Sequence, residues 1–567
     1  MRASLCSLAL VLSAAAIAGP IRFEDITASS GVDFVHDNGR QGDWQYPEIL
    51  GGGCGLVDLD GDGWLDLVLV QSGPLPRKRQ DRDPPDRTAR GGSRIYFSLG
   101  LTDPEDPTSL RFEDRSEAAG FRAFGYGMGV ATGDVTGNGF PDLYLTHYGP
   151  NQLWRNNGDG SFTDITADSG TADPGFGASA TISDLNGDGR LDLFVTNYVE
   201  HDPERNPSCL AANTRRDYCG PAVFPPQSDR LFINRGDGRF EDRTDQGLID
   251  NVALHGLGVV ALDMDEDGAV DVFVANDGTA NQFWKNLGDD RFRENALMSG
   301  TAVNRNGQME AGMGIAVGDP DRDGRFDLLL THLDGESNTF YRNLGHGLFT
   351  DQTAAWGLLA PSLPFTGFGT GFADFDLDGF EDLFVANGAV RVEEEQREAG
   401  LDYPLRQTDL LFRNLDGRRF SNVTASAGPA LAEAAVGRGA ALGDLNNDGL
   451  TDLLLCDNHG PARLLINRSR TEHAWIGLRL TLGEPARDAT GAYVELLNDE
   501  GPVQWRRVAT DGSYLSASDP RVIFGMGTQD APTASVRVSW PDGTSERFSN
   551  LEIGRYHTLR KGQVPAP

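Results

Sequence analysis

One nine-residue pattern, Asp-x-[Asp/Asn/Thr]-x-[Asp/Asn]-Gly-x-x-Asp, occurs seven times in this chain, and nothing else in the sequence restricts its fold as strongly. The first Asp of each copy stands at Asp58, Asp134, Asp184, Asp263, Asp319, Asp374 and Asp444. A small-residue run such as GYGMGVATG precedes each copy, and an apolar run such as DLYLTHY follows it. Then come a third run ending in Asn, as in NQLWRNN or NQFWKNL, a Gly-containing turn, and a fourth run of the form Phe-x-Asp-x-Thr. Period-two runs joined by Gly, Asn and Asp turns read as antiparallel strands. No amphipathic helix of useful length lies between them. Four strands per unit, seven units, predict an all-β chain built on a seven-bladed β-propeller.

The ends of the repeat array are informative. The seventh copy lacks the Phe-x-Asp-x-Thr strand, and that strand is found at the other end of the chain, in Ile21–Thr27. The N-terminal strand should therefore complete the last blade, which ties the ring together and removes two open sheet edges. The expected organisation is residues 1–19 as a cleaved leader, 20–469 as the propeller with 21–27 closing it, and 470–567 as a small C-terminal β-sandwich-like domain. Short β-runs separated by turns support the last assignment. Its aromatics Trp505, Tyr514 and Trp540 read as core; stacking on sugar rings is the alternative.

The repeated loop has the chemistry of a cation site. Side-chain oxygens at alternate positions, a central Gly and a closing Asp can wrap a hard cation that takes six to eight oxygens. The start resembles an EF-hand loop. The closing carboxylate at position nine and the flanking strands mark it instead as a β-hairpin calcium loop. The candidate ligands are Asp58, Asp60, Asp62 and Asp66; Asp134, Thr136, Asn138 and Asp142; Asp184, Asn186, Asp188 and Asp192; Asp263, Asp265, Asp267 and Asp271; Asp319, Asp321, Asp323 and Asp327; Asp374, Asp376, Asp378 and Asp382; and Asp444, Asn446, Asp448 and Asp452. The expectation is about seven structural Ca²⁺, bound most weakly by the second loop, which has only two carboxylates. These positions hold 24 Asp, so cation sites account for much of the net charge of −35. That charge argues against nucleic acid and anionic lipid as partners.

Arg2, the apolar stretch Leu5–Ile17 and the small residues Ala16–Ala18 form a secretory leader. No other stretch is apolar for long enough to span a bilayer. The expected location is secreted, periplasmic or cell-surface. In such a compartment Cys209 and Cys219, close together in a polar insertion, should be disulfide-bonded. Cys54 and Cys456 lie in apolar segments and read as buried thiols, with a bond between them as the alternative.

On these residues the chain resembles FG-GAP/VCBS-repeat proteins with integrin-α-like propellers, and as a whole the cartilage-acidic-protein-like ASPIC/UnbV family. Asp217-Tyr218-Cys219-Gly220-Pro221 carries the resemblance in the third blade. Gly512-Ser513-Tyr514-Leu515-Ser516, Phe524-Gly525-Met526-Gly527 and Ser539-Trp540-Pro541-Asp542-Gly543 carry it in the tail. The resemblance implies an extracellular calcium-binding protein and supplies no substrate.

Enzyme signals are thin: there is no Gly-x-Ser-x-Gly elbow, no His-Glu-x-x-His and no phosphate-cradling loop. Arg235-Gly236-Asp237 spells an adhesion tripeptide but occupies an ordinary blade turn. Asn422 and Asn467 begin short glycosylation-type motifs that are frequent by chance. The calcium loops join first to second strands, so second-strand ends fall on the opposite face. The long insertions near 71–93, 199–228 and 388–407 fall there too. That face should carry His36, Asn38, His147, Asn197, Asn276, Asp277, His332, Asn387 and His459. These are either a ligand-binding ring or caps for strand ends. The leading reading is a binding or scaffold module for an extracellular glycan or protein. A carbohydrate-active enzyme such as a polysaccharide lyase, and a structural part of a surface assembly, are the alternatives.

Overall fold

The computed structural model describes residues 21–76, 92–529 and 531–563. The leader at 1–19 and most of the insertion near 71–93 lie outside the described residues. Where the sequence alternates in period two it forms strands, grouped into seven antiparallel sheets. Blade two shows the plan. Gly127–Gly133 lies innermost, then Asp142–His147, Gln152–Asn156 and Phe162–Asp164 at the rim. The second strand is buried at every position, because each sheet is covered on both faces by its neighbours. Val57, Val68, Ile95, Phe121, Leu143 and Trp154 fill the gap between blades one and two.

The innermost strands of successive blades touch in chain order, and Gly437–Gly443 of blade seven touches Cys54–Val57 of blade one. The ring is thus closed. Its last blade is completed from the N-terminus as the sequence predicts. Phe23–Asp25 pairs antiparallel with Ala462–Asn467, with Phe23 opposite Asn467. Phe23 is buried against Phe375, with ring centroids 5.5 Å apart. Blade four has one addition, Leu248–Ile249, parallel to its rim strand.

The C-terminal region forms two four-stranded sheets. Trp475–Leu482 is central in one and Tyr493–Asn498 with Thr533–Ser539 in the other. Ile476, Leu478, Val494, Val536, Val538 and Trp540 form the core between them. The sandwich is not separate from the propeller. Residues 510–519 leave the sandwich and run through the axis of the propeller. Thr510 Oγ1 donates to Thr132 O in blade two, and Asp511 accepts from Thr181 in blade three and Ala261 N in blade four. Ser513 pairs with Ile315 in blade five and accepts from Thr370 N in blade six. Ala517 exchanges hydrogen bonds with Cys54 and Leu56 in blade one, and Asp519 N donates to Leu442 O in blade seven. One segment therefore bonds to all seven blades. The small residues of the innermost strands now have a reason. A Cβ on Gly53 would stand 2.3 Å from Leu515 O, and one on Gly129 would stand 2.9 Å from it.

Candidate metal centres and the opposite face

Each loop folds around its first carboxylate. Asp58 Oδ1 accepts from Gly61 N at 2.8 Å and Oδ2 from Gly63 N at 3.1 Å. Asp184 does the same with Gly187 and Gly189. The ninth-position Asp is a staple. Asp66 takes one N–H from Leu59 in the loop and one from Ser98 on the third strand, both at 2.8 Å. Asp142, Asp192, Asp271, Asp382 and Asp452 repeat that arrangement. Asp327 departs from it, because Pro320 occupies the donor position and has no N–H. Its Oδ2 is buried and unbonded.

Four loops gather three carboxylate oxygens within 4.8 Å of one another: Asp58, Asp60 and Asp62; Asp263, Asp265 and Asp271; Asp319, Asp321 and Asp323; and Asp374, Asp376 and Asp382. Asp265 Oδ1, Asp321 Oδ1 and Asp374 Oδ1 are buried with no hydrogen-bond partner. Burial pushes Asp66, Asp271 and Asp319 up to about 8 and Asp192 to about 7. Clustered carboxyls of this kind hold protons unless a cation supplies countercharge. The all-oxygen donor set and the orphaned oxygens fit a hard divalent ion.

Third strands connect the loops around the ring. Asn234 Nδ2 donates to Val135 O in the loop of the preceding blade at 2.8 Å; Asn156, Asn286, Asn414 and Asn467 make the same cross-blade bond. The C-terminal domain sits on this face and touches every loop. Arg479 pairs with Asp58 at 2.9 Å, Tyr556 donates to Asp444 at 2.8 Å, and Tyr493 accepts from Asp263 N at 3.1 Å. His473 bonds Asp376 O, and Arg487 donates to Gly189 O. Pro485 packs on Gly139 and Trp505 on Gly324. Nothing in the loop pattern announced this lid. The arginine-rich tail (Arg479, Arg487, Arg506, Arg507, Arg521) was its only trace in the sequence.

Of the nine polar residues expected on the opposite face, most are not accessible. His36, Asn38, His147, Asn197, Asn276, His332 and Asn387 are buried; Asp277 is half-buried and His459 is exposed. Asn197 donates to Asp173, Asn276 to Ala280 O and Asn387 to Thr408 O, which is strand-end capping. Asn38 donates to Glu48 O and Asn458. Burial holds His36 near 3 and His147 near 4, so both are neutral. Loops of their own blades pack on some of the nine, Gly125 on the His147 ring and Gly175 on the Asn197 side chain. The channel mouth also carries a cover that the sequence did not reveal. Tyr46, Ile49 and Leu50 pack there with Tyr198, Tyr218, Phe224, Tyr403 and Tyr514. The insertion closed by the Cys209–Cys219 disulfide supplies Tyr218, whose hydroxyl donates to Glu48 at 2.9 Å. Arg438 is fully buried beneath this cover. It donates only to the carbonyls of Ile49, Gly388, Gly437 and Ala389 and lies 3.9 Å from the Phe368 ring centroid. Cys54 and Cys456 are free and buried. Arg235 of the adhesion-like tripeptide pairs with Glu241 and Asp290, as a turn residue would. Among the described residues no helix is long and apolar enough to cross a membrane.

Comparison with known proteins agrees with this architecture. The family described as FG-GAP-like repeat matches residues 134–195, 263–330 and 319–385, and the family described as ASPIC and UnbV matches residues 483–566. Cartilage acidic protein 1 of Homo sapiens is 27% identical over 329 residues, which is 55% of this chain and 46% of that protein. The Mus musculus protein is 26% identical over 297 residues, 51% of this chain and 42% of its own length. The chain thus spans less than half the length of these relatives. Among solved structures, an Agrocybe aegerita protein that recognises non-reducing terminal N-acetylglucosamine is similar at TM-score 0.36 and 13% identity, covering 85% of this chain and 97% of that one. YCF48 bound to D1 peptide is similar at TM-score 0.36 and 9% identity, covering 78% and 98%. Likeness at that level carries no functional argument. The chain thus carries FG-GAP-like repeats in an all-β, propeller-like fold and a C-terminal region that matches ASPIC and UnbV, and it is homologous to cartilage acidic protein 1.

Proposed function

We propose that this is an exported calcium-binding protein that acts as a binding or scaffold module, with an extracellular glycan or protein as its ligand. About seven Ca²⁺, one per loop, are structural in this reading. The observation that supports it most is the position of the C-terminal domain. It contacts the loop face at all seven blades and so takes up part of that face, although stretches such as 60–63 and 187–190 stay exposed. The opposite face keeps the insertions 199–228 and 388–407. Loops on a rigid scaffold are where recognition concentrates. Leu210 and Val223 on the first insertion are 61% and 53% exposed, and Leu401 on the second is 38% exposed. The buried polar residues beneath them position the cover. Of the nine, only Asp277 and His459 border solvent.

The test is a screen of glycans and surface proteins with CaCl₂ present, followed by Leu210→Ser with Val223→Ser on any hit. Weakened binding at an unchanged melting temperature is the expected result. A screen without a single specific hit, or a hit indifferent to these substitutions and to others on the two insertions, removes the reading.

A further inference from the structure

The third strands of blades four, five and six place a basic side chain beside the loop of their own blade. Lys285 contacts Asp265 and Asp267, at positions three and five of its loop. Arg342 Nε bonds Asp321 Oδ2 at 2.6 Å and its Nη2 bonds Asp323 Oδ2 at 2.8 Å. Arg413 Nη2 lies 2.8 Å from Asp376 Oδ2 and 3.0 Å from Asp378 Oδ2. The three residues are equivalent in register, each directly preceding the third-strand Asn.

What occupies that position elsewhere follows the loop. In blades three and seven, where position three is Asn186 or Asn446, the residue is Ile233 or Ile466. A basic residue beside two Asp, or an Ile beside one Asn and one Asp, both give these three groups a formal charge of −1 in blades three to seven. Blade one has Asp60 and Asp62 with Phe97 at the position, and there Arg479 of the C-terminal domain reaches Asp58 instead, shared with Asp488. In blade two the loop has no acid at positions three and five, and Arg155 turns away to Asn157. Arg190 and Arg325 also touch loop carboxylates, Asp188 and Asp323, but from position seven of the loop itself and not from the third strand.

The basic residue leaves room for an ion. Lys285 takes Asp265 Oδ2 and Arg342 takes Asp321 Oδ2, while Oδ1 of each aspartate is buried without a hydrogen-bond partner. Each carboxylate thus divides its oxygens, one on the basic side chain and one buried and left for another partner.

We infer that Lys285, Arg342 and Arg413 are resident counter-ions that set the cation affinity of loops four, five and six. They stand behind the ligands, lower the net negative charge an incoming Ca²⁺ meets, and keep the cation-free loops folded. The inference rests on the calcium reading above. A like charge one residue behind a divalent ion opposes binding by Coulomb repulsion even when partly screened.

The experiment titrates metal-free protein with CaCl₂ against a chromophoric chelator, alongside thermal unfolding with and without calcium. Lys285→Met, Arg342→Met and Arg413→Met should each tighten one site by about tenfold or more. Each should lower the melting temperature of the calcium-free form more than that of the loaded form. Arg342→Lys keeps the charge and should titrate like the parent. If the pairs serve only to brace the hairpin, the Met variants bind calcium equally or more weakly and lose stability alike in both forms; that result overturns the inference, as does failure to fold with calcium present. A parent protein that takes up no calcium overturns the calcium reading and this inference together.

Discussion

Ser513 and Ile315 exchange two backbone hydrogen bonds, at 2.6 and 3.0 Å, that splice the C-terminal domain into the innermost strand of blade five. Tyr514, the next residue, is fully buried against Phe368, with centroids 4.8 Å apart, beneath the cover of the opposite face. Propeller and sandwich should therefore unfold as one unit. Calorimetry should give a single transition, and Tyr514→Ala should cost about 3–5 kcal/mol, the range for large buried aromatics. Two well-separated transitions, one per domain, would falsify this coupling.

The closing strand gives the second prediction. Phe23→Ala should also cost about 3–5 kcal/mol, and deleting Ile21–Thr27 should promote aggregation by exposing the edge of Ala462–Asn467. Trimming after Arg560 should matter far less. Light scattering and denaturant midpoints of the three variants decide the point.

Calcium should be stoichiometric with the loops. Metal analysis of dialysed protein should return close to seven ions per chain. Chelation should lower the melting temperature, because an ion that binds only the folded state stabilises it by mass action. One ion or fewer per chain, or a melting temperature indifferent to chelator, would contradict the loop assignment.

The disulfide should be local in its effect. Cys209→Ser with Cys219→Ser opens a short loop worth about 3 kcal/mol at most in the chain-entropy model. Protease should cut the 199–228 insertion faster in this variant, while blade cores keep their hydrogen-exchange protection. Equal cleavage rates would show that the bond does not order the insertion.

Asp277 supplies a pH test remote from the metal loops. Burial, opposed by the Tyr198 hydroxyl, pushes its carboxyl up to about 6. The folded protein then binds this proton more tightly than the unfolded chain, whose Asp titrates near ~4. Stability from this group is full below about pH 4, declines as pH rises to about 6, and is flat above. Asp277→Asn should remove that decline, seen as a smaller change in urea midpoint between pH 4 and pH 7 than in the parent. The same slope in both proteins would show that other carboxyls carry it.

The repeats, the strand order within each blade, the N-terminal closure and the Cys209–Cys219 bond are all legible from local sequence. Each rests on short-range chemistry: period-two alternation, turn residues, loop spacing, a pair of nearby cysteines. Tertiary structure alone decided the rest. That residues 510–519 fill the channel, that Arg479 and Tyr556 meet Asp58 and Asp444, and that Tyr403 and Asn458 meet Asn38 are contacts between segments a hundred or more residues apart. No periodicity encodes them. A polar residue at a strand end looks the same in sequence whether it faces water or lies under a lid. Which of the two holds depends on how much apolar surface the lid itself must bury, and that is settled only when the whole chain has packed.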